Sequence, residues 1–170
     1  KRDWSSDVCS SDLHLTDTVV EPNGPVRVWV DGERRGRIEG HHTATHLLHW
    51  ALRNVLGTGV RQKGSYVGPD RLRFDFAHLQ AMTPEEVRQV EAQVNEKVKA
   101  DVPVKWEERS FAEVKDDATI LQFFGDKYGT TVRVVDIGGF SKELCGGTHV
   151  RSCGKIGTVR VVAESAIAAG

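Results

Sequence analysis

Two short segments rich in metal-binding side chains constrain this sequence more than anything else in it. In His41-His42-Thr43-Ala44-Thr45-His46-Leu47-Leu48-His49, the residues His42 and His46 are separated by three others. On a helix that spacing stacks side chains one turn apart, so both imidazoles can aim at one point. Far downstream, Cys145-Gly146-Gly147-Thr148-His149 is a Cys-x3-His pair across two glycines, which reads as a turn. A lone His-x3-His pair is common on solvated helix faces, and a lone free cysteine is usually a small buried hydrophobe. Here each pair supplies what the other lacks. His42, His46, Cys145 and His149 make a nitrogen and sulfur set suited to tetrahedral zinc, Zn2+. That places a metal site between the first long helix and a C-terminal Gly-Gly loop. His41, His49 and Cys153 are further donors nearby, and residue chemistry alone leaves them open.

The start of the chain is a poor guide to its fold. Residues 1–13, with Asp3-Trp4-Ser5-Ser6-Asp7-Val8-Cys9-Ser10-Ser11-Asp12-Leu13, read as a translated sequencing adaptor, the alternative being a disordered tail. Residues 14–40 are expected to be the truncated remnant of an upstream β subdomain and a linker, and residues 41–170 the functional domain. Setting aside 1–13 removes Cys9 and leaves Cys145 and Cys153, which argues against a disulfide framework and for a reducing, cytoplasmic setting. No stretch approaches the roughly 20 apolar residues that span a bilayer, so no membrane role is expected. The chain has 23 basic and 24 acidic residues, a balance that gives no global argument for nucleic acid. Any RNA contact must come from a local patch.

Val26-Arg27-Val28-Trp29-Val30 alternates like a strand, with Asp31-Gly32 as a turn. The histidine helix should begin near His41 and run to Leu56, where Gly57 stops it, with Leu48, Leu52 and Val55 as its apolar stripe. Two strands flank Gly68-Pro69-Asp70 and should form a hairpin whose buried face carries Leu72, Phe74 and Phe76. Thr83-Pro84-Glu85-Glu86 opens a second helix with a capping box, and Val87, Val90, Val94 and Val98 follow at helical spacing. Strands are expected over Val104–Arg109, Thr131–Ile137 and Ile156–Val162, with short helices over Phe111–Asp117 and Ile120–Phe124. This mixture lacks β-α-β alternation. It favours an α+β fold, an antiparallel sheet packed with helices.

Four blocks occur in order: His42-Thr43-Ala44-Thr45-His46-Leu47-Leu48-His49, Gln62-Lys63-Gly64-Ser65, Leu72-Arg73-Phe74-Asp75-Phe76 and Leu144-Cys145-Gly146-Gly147-Thr148-His149-Val150. Together they resemble the editing domain of alanyl-tRNA synthetases, the second additional domain shared with threonyl-tRNA synthetases and with free-standing editing proteins. Asp136-Ile137-Gly138-Gly139-Phe140-Ser141-Lys142-Glu143 is similar to the same family. The resemblance covers most of residues 14–170. It implies zinc-dependent hydrolysis of serine or glycine from tRNA for alanine, with zinc ligands at His42, His46, Cys145 and His149 and pocket residues at Thr45, Gln62 and Ser65. It further implies a partner in the acceptor end of tRNA for alanine. In a full-length protein it implies an ATP-using aminoacylation domain and a C-terminal oligomerisation domain. No aminoacylation is expected from this chain.

A hydrolytic second site has a physical rationale, because an apolar pocket for alanine rejects glycine and serine poorly. Whether zinc would activate water or position the substrate stays open at this stage. A cluster of Arg61, Lys63, Arg71 and Arg73 on the hairpin could meet phosphates, or could simply be a solvated strand face. Two other functions compete: a non-catalytic, zinc-stabilised tRNA-binding module, and a threonyl-type editing domain.

Overall fold

Asp31 sets the start of the element that carries the histidines. Its side chain accepts the Arg34 backbone N–H at 3.0 Å and caps helix α1, Gly32–Leu56, in the computed structural model, which describes residues 29–122 and 128–165. The helix therefore begins nine residues before His41. Asp31 is a cap and not a hairpin turn, and Gly36 and Gly40 are carried within the helix. Gly40 is buried where the helix meets the C-terminal turn, and a Cβ there would make only ordinary contact with Ile156 Cα, at 3.7 Å. The boundary expected between residues 40 and 41 falls inside α1. Of the strand expected over Val26–Val30, residues 26–28 lie outside the described residues, and Trp29 and Val30 are exposed and not in a strand. At the far end, Gly57 has φ 104°, a left-handed conformation suited to glycine, and stops the helix as expected.

The buried arc of α1 is broader than the expected stripe. Ala44, Leu47, Ala51 and Leu52 are buried, while Leu48 and Val55 pack at its margin. The reason is that α1 is covered from more than one side. Helix α2, Pro84–Lys99, packs on it and buries Val90, Val94 and Val98. A hairpin of β1, Arg61–Val67, and β2, Leu72–Ala77, also lies against it. The Thr83–Glu86 capping box of α2 forms as its sequence predicts, with Glu86 N–H on Thr83 Oγ1 at 3.2 Å and Thr83 N–H on Glu86 at 2.7 Å. The hairpin is antiparallel, pairing Ser65 with Phe74 and Val67 with Leu72, and its register shifts between Gln62 and Gly64.

The strands form two antiparallel sheets and not one. The second contains β3, Val104–Ser110, β4, Thr131–Ile137, and β5, Ser141–Leu144, in the order β3-β4-β5. Central β4 buries both faces. Val135 and Ile137 join the main core with Leu47, Val94 and Val104, whereas Val132 and Val134 join a second cluster with Val114, Ile120 and Leu144. Helix α3 is short, Phe111–Val114.

Strand β5 was not expected. Gly138 (φ 57°) and Gly139 (φ 80°) make a tight left-handed turn, tied by Gly139 N–H to Asp136 Oδ1 at 2.7 Å. The chain therefore folds straight back, pairing Val135 with Glu143, and delivers Cys145 from the end of a strand. Residues 120–122 are not helical. Leu121 bridges to Glu143 instead, donating to Lys142 O at 2.8 Å and accepting from Leu144 N–H at 3.0 Å, while residues 123–124 lie outside the described residues.

The strand expected over Ile156–Val162 is also absent. Cys153–Ile156 is a 3-10 turn, and the residues after it, in neither helix nor strand, lie against α2. Its backbone is satisfied by helix side chains: Asn95 both donates to Val159 O (2.7 Å) and accepts from Val159 N–H (2.9 Å), and Glu91 accepts from Val161 N–H (2.7 Å). Helix side chains take the place of the neighbouring strand that the alternating valines predict. Among the described residues no helix is long and apolar enough to cross a membrane.

Candidate metal centre

Helix α1 and the turn after β5 meet face to face. His42, His46, Cys145 and His149 each contribute one donor atom, and all four atoms lie within 4.8 Å of one another. Cys145 Sγ is 3.4 Å from His42 Nε2 and 3.4 Å from His149 Nε2. His46 and His149 are buried, and His42 and Cys145 are half-buried. The four residues singled out in the sequence are the four that converge.

The three spare donors are elsewhere engaged. His41 Nδ1 meets Gly68 O at 2.6 Å on the hairpin loop. His49 Nδ1 bonds Glu143 Oε1 at 2.9 Å. Cys153 is buried in the main core. Burial, with the negative charge of Asp101 adding to it, pushes its thiol up to about 11.

Proton accounting shows how well the cluster suits a cation. His42 Nδ1 is 3.2 Å from Thr148 O, a group that only accepts, so this nitrogen carries the proton. Thr43 Oγ1 gives its single proton to Glu39 O (3.0 Å) and accepts from Val150 N–H (3.3 Å). Toward His149 Nδ1, at 3.2 Å, it can therefore only accept. His46 Nδ1 lies against the Glu143 carboxylate. In each ring Nδ1 carries a proton, so Nε2 is the atom left to face the cluster. Such outer hydrogen bonds are what orient histidine ligands in metal sites.

The electrostatics point the same way. Burial opposes charge on Glu143, yet His46 and His49 hold its carboxyl down at about 2. Burial also opposes charge on His46, but Glu143 and Cys145 outweigh it and raise the imidazole to about 10. Burial lowers His149 to about 4, against the Cys145 hydrogen bond and with help from the nearby His46 and His42, so it is a neutral donor. Burial would raise the Cys145 thiol, but hydrogen bonds from His149, His42 and His46 hold it well below the ordinary cysteine range. A thiolate, a neutral imidazole and a buried positive charge already sit together. A divalent cation would take the place of the acidic proton, as metal binding to such ligands generally does. The donor set fits zinc.

Four residues that build this geometry do not stand out by residue type or spacing. Thr43 and Glu143 fix ring nitrogens, as described. Arg133 on β4 holds the turn: its Nε donates to Cys145 O at 2.9 Å, its Nη2 reaches Gly147 O, and its own carbonyl accepts from Cys145 N–H at 3.0 Å. Gly147 lies so close to the His42 ring that an added Cβ would overlap it, whereas Gly146 has nothing within 4 Å of such a Cβ. One signal was available in the sequence for Glu143. It is two residues before Cys145, so a strand there would put both on one face.

The expected pocket residues are less closely joined. Thr45 is buried and its hydroxyl donates to His41 O at 2.9 Å. Gln62 Nε2 donates to Ser65 Oγ at 3.2 Å, so these two are bonded to each other. Ser65 pairs with Phe74, whose ring is 5.4 Å from that of His49. On the hairpin, Arg73 is tied to Asp75 (2.8 Å) and Arg61 donates to Thr58 O (2.6 Å), which leaves fewer of the basic groups free for phosphate.

A set of three histidines and one cysteine, two of them buried and two half-buried, on an α+β frame defines a domain equipped to hold a metal ion such as zinc. Residues 132–170 match the family described as the threonyl and alanyl tRNA synthetase second additional domain, and most of the chain is similar to part of several alanine–tRNA ligases. It is 54% identical over 158 residues to an alanine–tRNA ligase of Methylacidiphilum infernorum, covering 93% of this chain and 17% of that protein. It is 54% identical over 146 residues to an alanine–tRNA ligase of Acetivibrio thermocellus (85% and 16%), and 47% identical over 163 residues to one of Desulforudis audaxviator (93% and 18%). The chain thus spans less than a fifth of the length of these relatives.

Proposed function

We propose that this chain is an aminoacyl-tRNA deacylase, the editing portion of an alanyl-tRNA synthetase, which removes serine or glycine from tRNA for alanine with the help of zinc held by His42, His46, Cys145 and His149. The observation that carries this reading is the convergence of those four donors, with the tautomer of each histidine set by its own oxygen partner. Bound there, zinc would supply a Lewis acid and a fixed positive charge beside the ester.

The chain's own polar groups have matching capacity left over. Because the Thr45 hydroxyl spends its proton on His41 O, toward a ligand it can act only as an acceptor. A seryl hydroxyl can donate to it and an alanyl methyl cannot. Ser65 accepts from Gln62 and still has its own proton to give, while Gln62 keeps its carbonyl oxygen, so the pair can hold the ester or a water. These roles give Thr45 the part of recognising substrate and Gln62 and Ser65 that of positioning the reacting groups. The second sieve acts where the synthetic pocket discriminates poorly. In the whole ligase, acting in the cytoplasm, an ATP-using aminoacylation domain would charge the tRNA, and a C-terminal domain would set oligomeric state.

One observation favours a second reading. Four protein donors are enough to close a tetrahedral zinc site, as in structural centres, and would make this a non-catalytic tRNA-binding module. Hydrolysis of tRNA for alanine carrying serine, glycine or alanine by the 170-residue chain separates the two. Editing predicts release of serine and glycine well above the rate in buffer, with alanine spared and the activity lost to a chelator. Folded, zinc-loaded protein that binds tRNA without turnover supports the module and contradicts the editing role.

A further inference from the structure

We propose that Glu143 and His49 act together as a positioning pair that holds His46 ready for the metal. The inference rests on the reading of the four donors as a zinc centre. Glu143 is 3% exposed, and its two carboxylate oxygens are divided between two rings of the same helix, Oε2 against His46 Nδ1 and Oε1 against His49 Nδ1 at 2.9 Å. His46 and His49 are three residues apart on α1, so they stand side by side over the end of β5.

His49 is 1% exposed and lies outside the donor cluster. Its contribution is to the carboxylate. A carboxylate bonded through one oxygen can rotate, and by bonding the other oxygen His49 stops that rotation. Glu143 also has its backbone fixed, paired with Val135 on one side and bridged to Leu121 on the other. Both ends of the residue are thus held, and His46 Nδ1–H has one fixed acceptor. His42 and His149 obtain the same control from Thr148 O and from Thr43 Oγ1. His46 is the one ligand whose orientation depends on a charged side chain and on a second histidine behind it. In position and bonding His49 resembles a ligand, but it acts through Glu143.

The test is a cobalt(II) titration of the 170-residue chain, followed by its visible absorption and by competition with zinc. Wild-type protein should bind the ion with a thiolate-to-cobalt charge-transfer band that Cys145→Ala lacks. Glu143→Gln presents an N–H where an acceptor is needed, or frees the ring to change tautomer. It should weaken zinc by about 10–100-fold, the usual cost of losing an outer partner of a ligand, and shift the cobalt d–d bands. His49→Leu should weaken binding in the same direction, and His49→Gln, which can still donate to Glu143, should restore most of it. That rescue is not expected of a merely space-filling residue. If Glu143→Gln fails to fold, the two His49 variants decide the matter. Equal affinity and identical cobalt spectra for wild type, His49→Leu and His49→Gln would overturn the positioning role while leaving the zinc centre standing. Absence of cobalt and zinc binding by wild type would overturn the zinc centre itself, and the positioning role with it.

Discussion

Gly147→Ala is expected to cripple metal binding, while Gly146→Ala, one residue away, leaves it within about threefold of wild type. The contrast comes from the space around the two residues. A Cβ at position 147 would overlap the His42 ring, and one at 146 meets nothing within 4 Å. Neither side of the clash can yield easily. The 147 carbonyl is held by Arg133, and the His42 ring is held by its Nδ1 contact with Thr148 O at 3.2 Å. Relief requires either the ligand or the turn to move. Forced overpacking of this kind typically costs about 1–3 kcal/mol, or roughly a 5- to 150-fold loss when it falls on a binding equilibrium. Zinc competition against a chromophoric chelator, run on both variants, reads the difference directly. Equal affinities for the two would mean that the turn is not seated against His42.

Cys145→Ala should have the larger effect on both metal and stability. Histidine binds a metal as the uncharged imidazole, so the substitution removes the one formal negative charge that would bind the ion directly. The loss should exceed the roughly 10–100-fold that follows from losing an outer partner. With zinc about 1,000-fold above its dissociation constant, wild type gains ~4 kcal/mol from binding. For a chain of this size that is near 10 °C in Tm. The variant should show no zinc-dependent rise in Tm, and its release of serine from tRNA should fall to the level of chelated wild type. A variant that melts and hydrolyses like wild type would remove Cys145 from the centre.

Much of this architecture was legible because local chemistry and tertiary structure agree. The Thr83–Glu86 box, the Gly57 stop and the valines of β4 each act within a few residues, and each forms where expected. The metal donors were legible for a similar reason, since helix periodicity alone brings His42 and His46 onto one face. What could not be read depends on groups distant in sequence. The extension of α1 back to Gly32 starts at the Asp31 cap and carries Gly40 against Ile156, a neighbour distant in sequence. The backbone of Val159 and Val161 finds Asn95 and Glu91 in place of a neighbouring strand. Gly146 and Gly147 look alike in the sequence, and only the approach of His42 from a helix a hundred positions away separates them. The bond between Glu143 and His49 was hidden in the same way, since His49 reads in the sequence as a spare donor and only the fold joins it to Glu143.

The central claim is that one zinc ion is held by one sulfur and three imidazole nitrogens. X-ray absorption at the zinc edge of the loaded 170-residue chain tests it most directly. The expected shell has a single sulfur at about 2.3 Å and nitrogen neighbours at about 2.0–2.1 Å, the distances usual for such ligands, with the sulfur contribution lost in Cys145→Ala. A shell with no sulfur, or with two sulfurs through recruitment of Cys153, would contradict it.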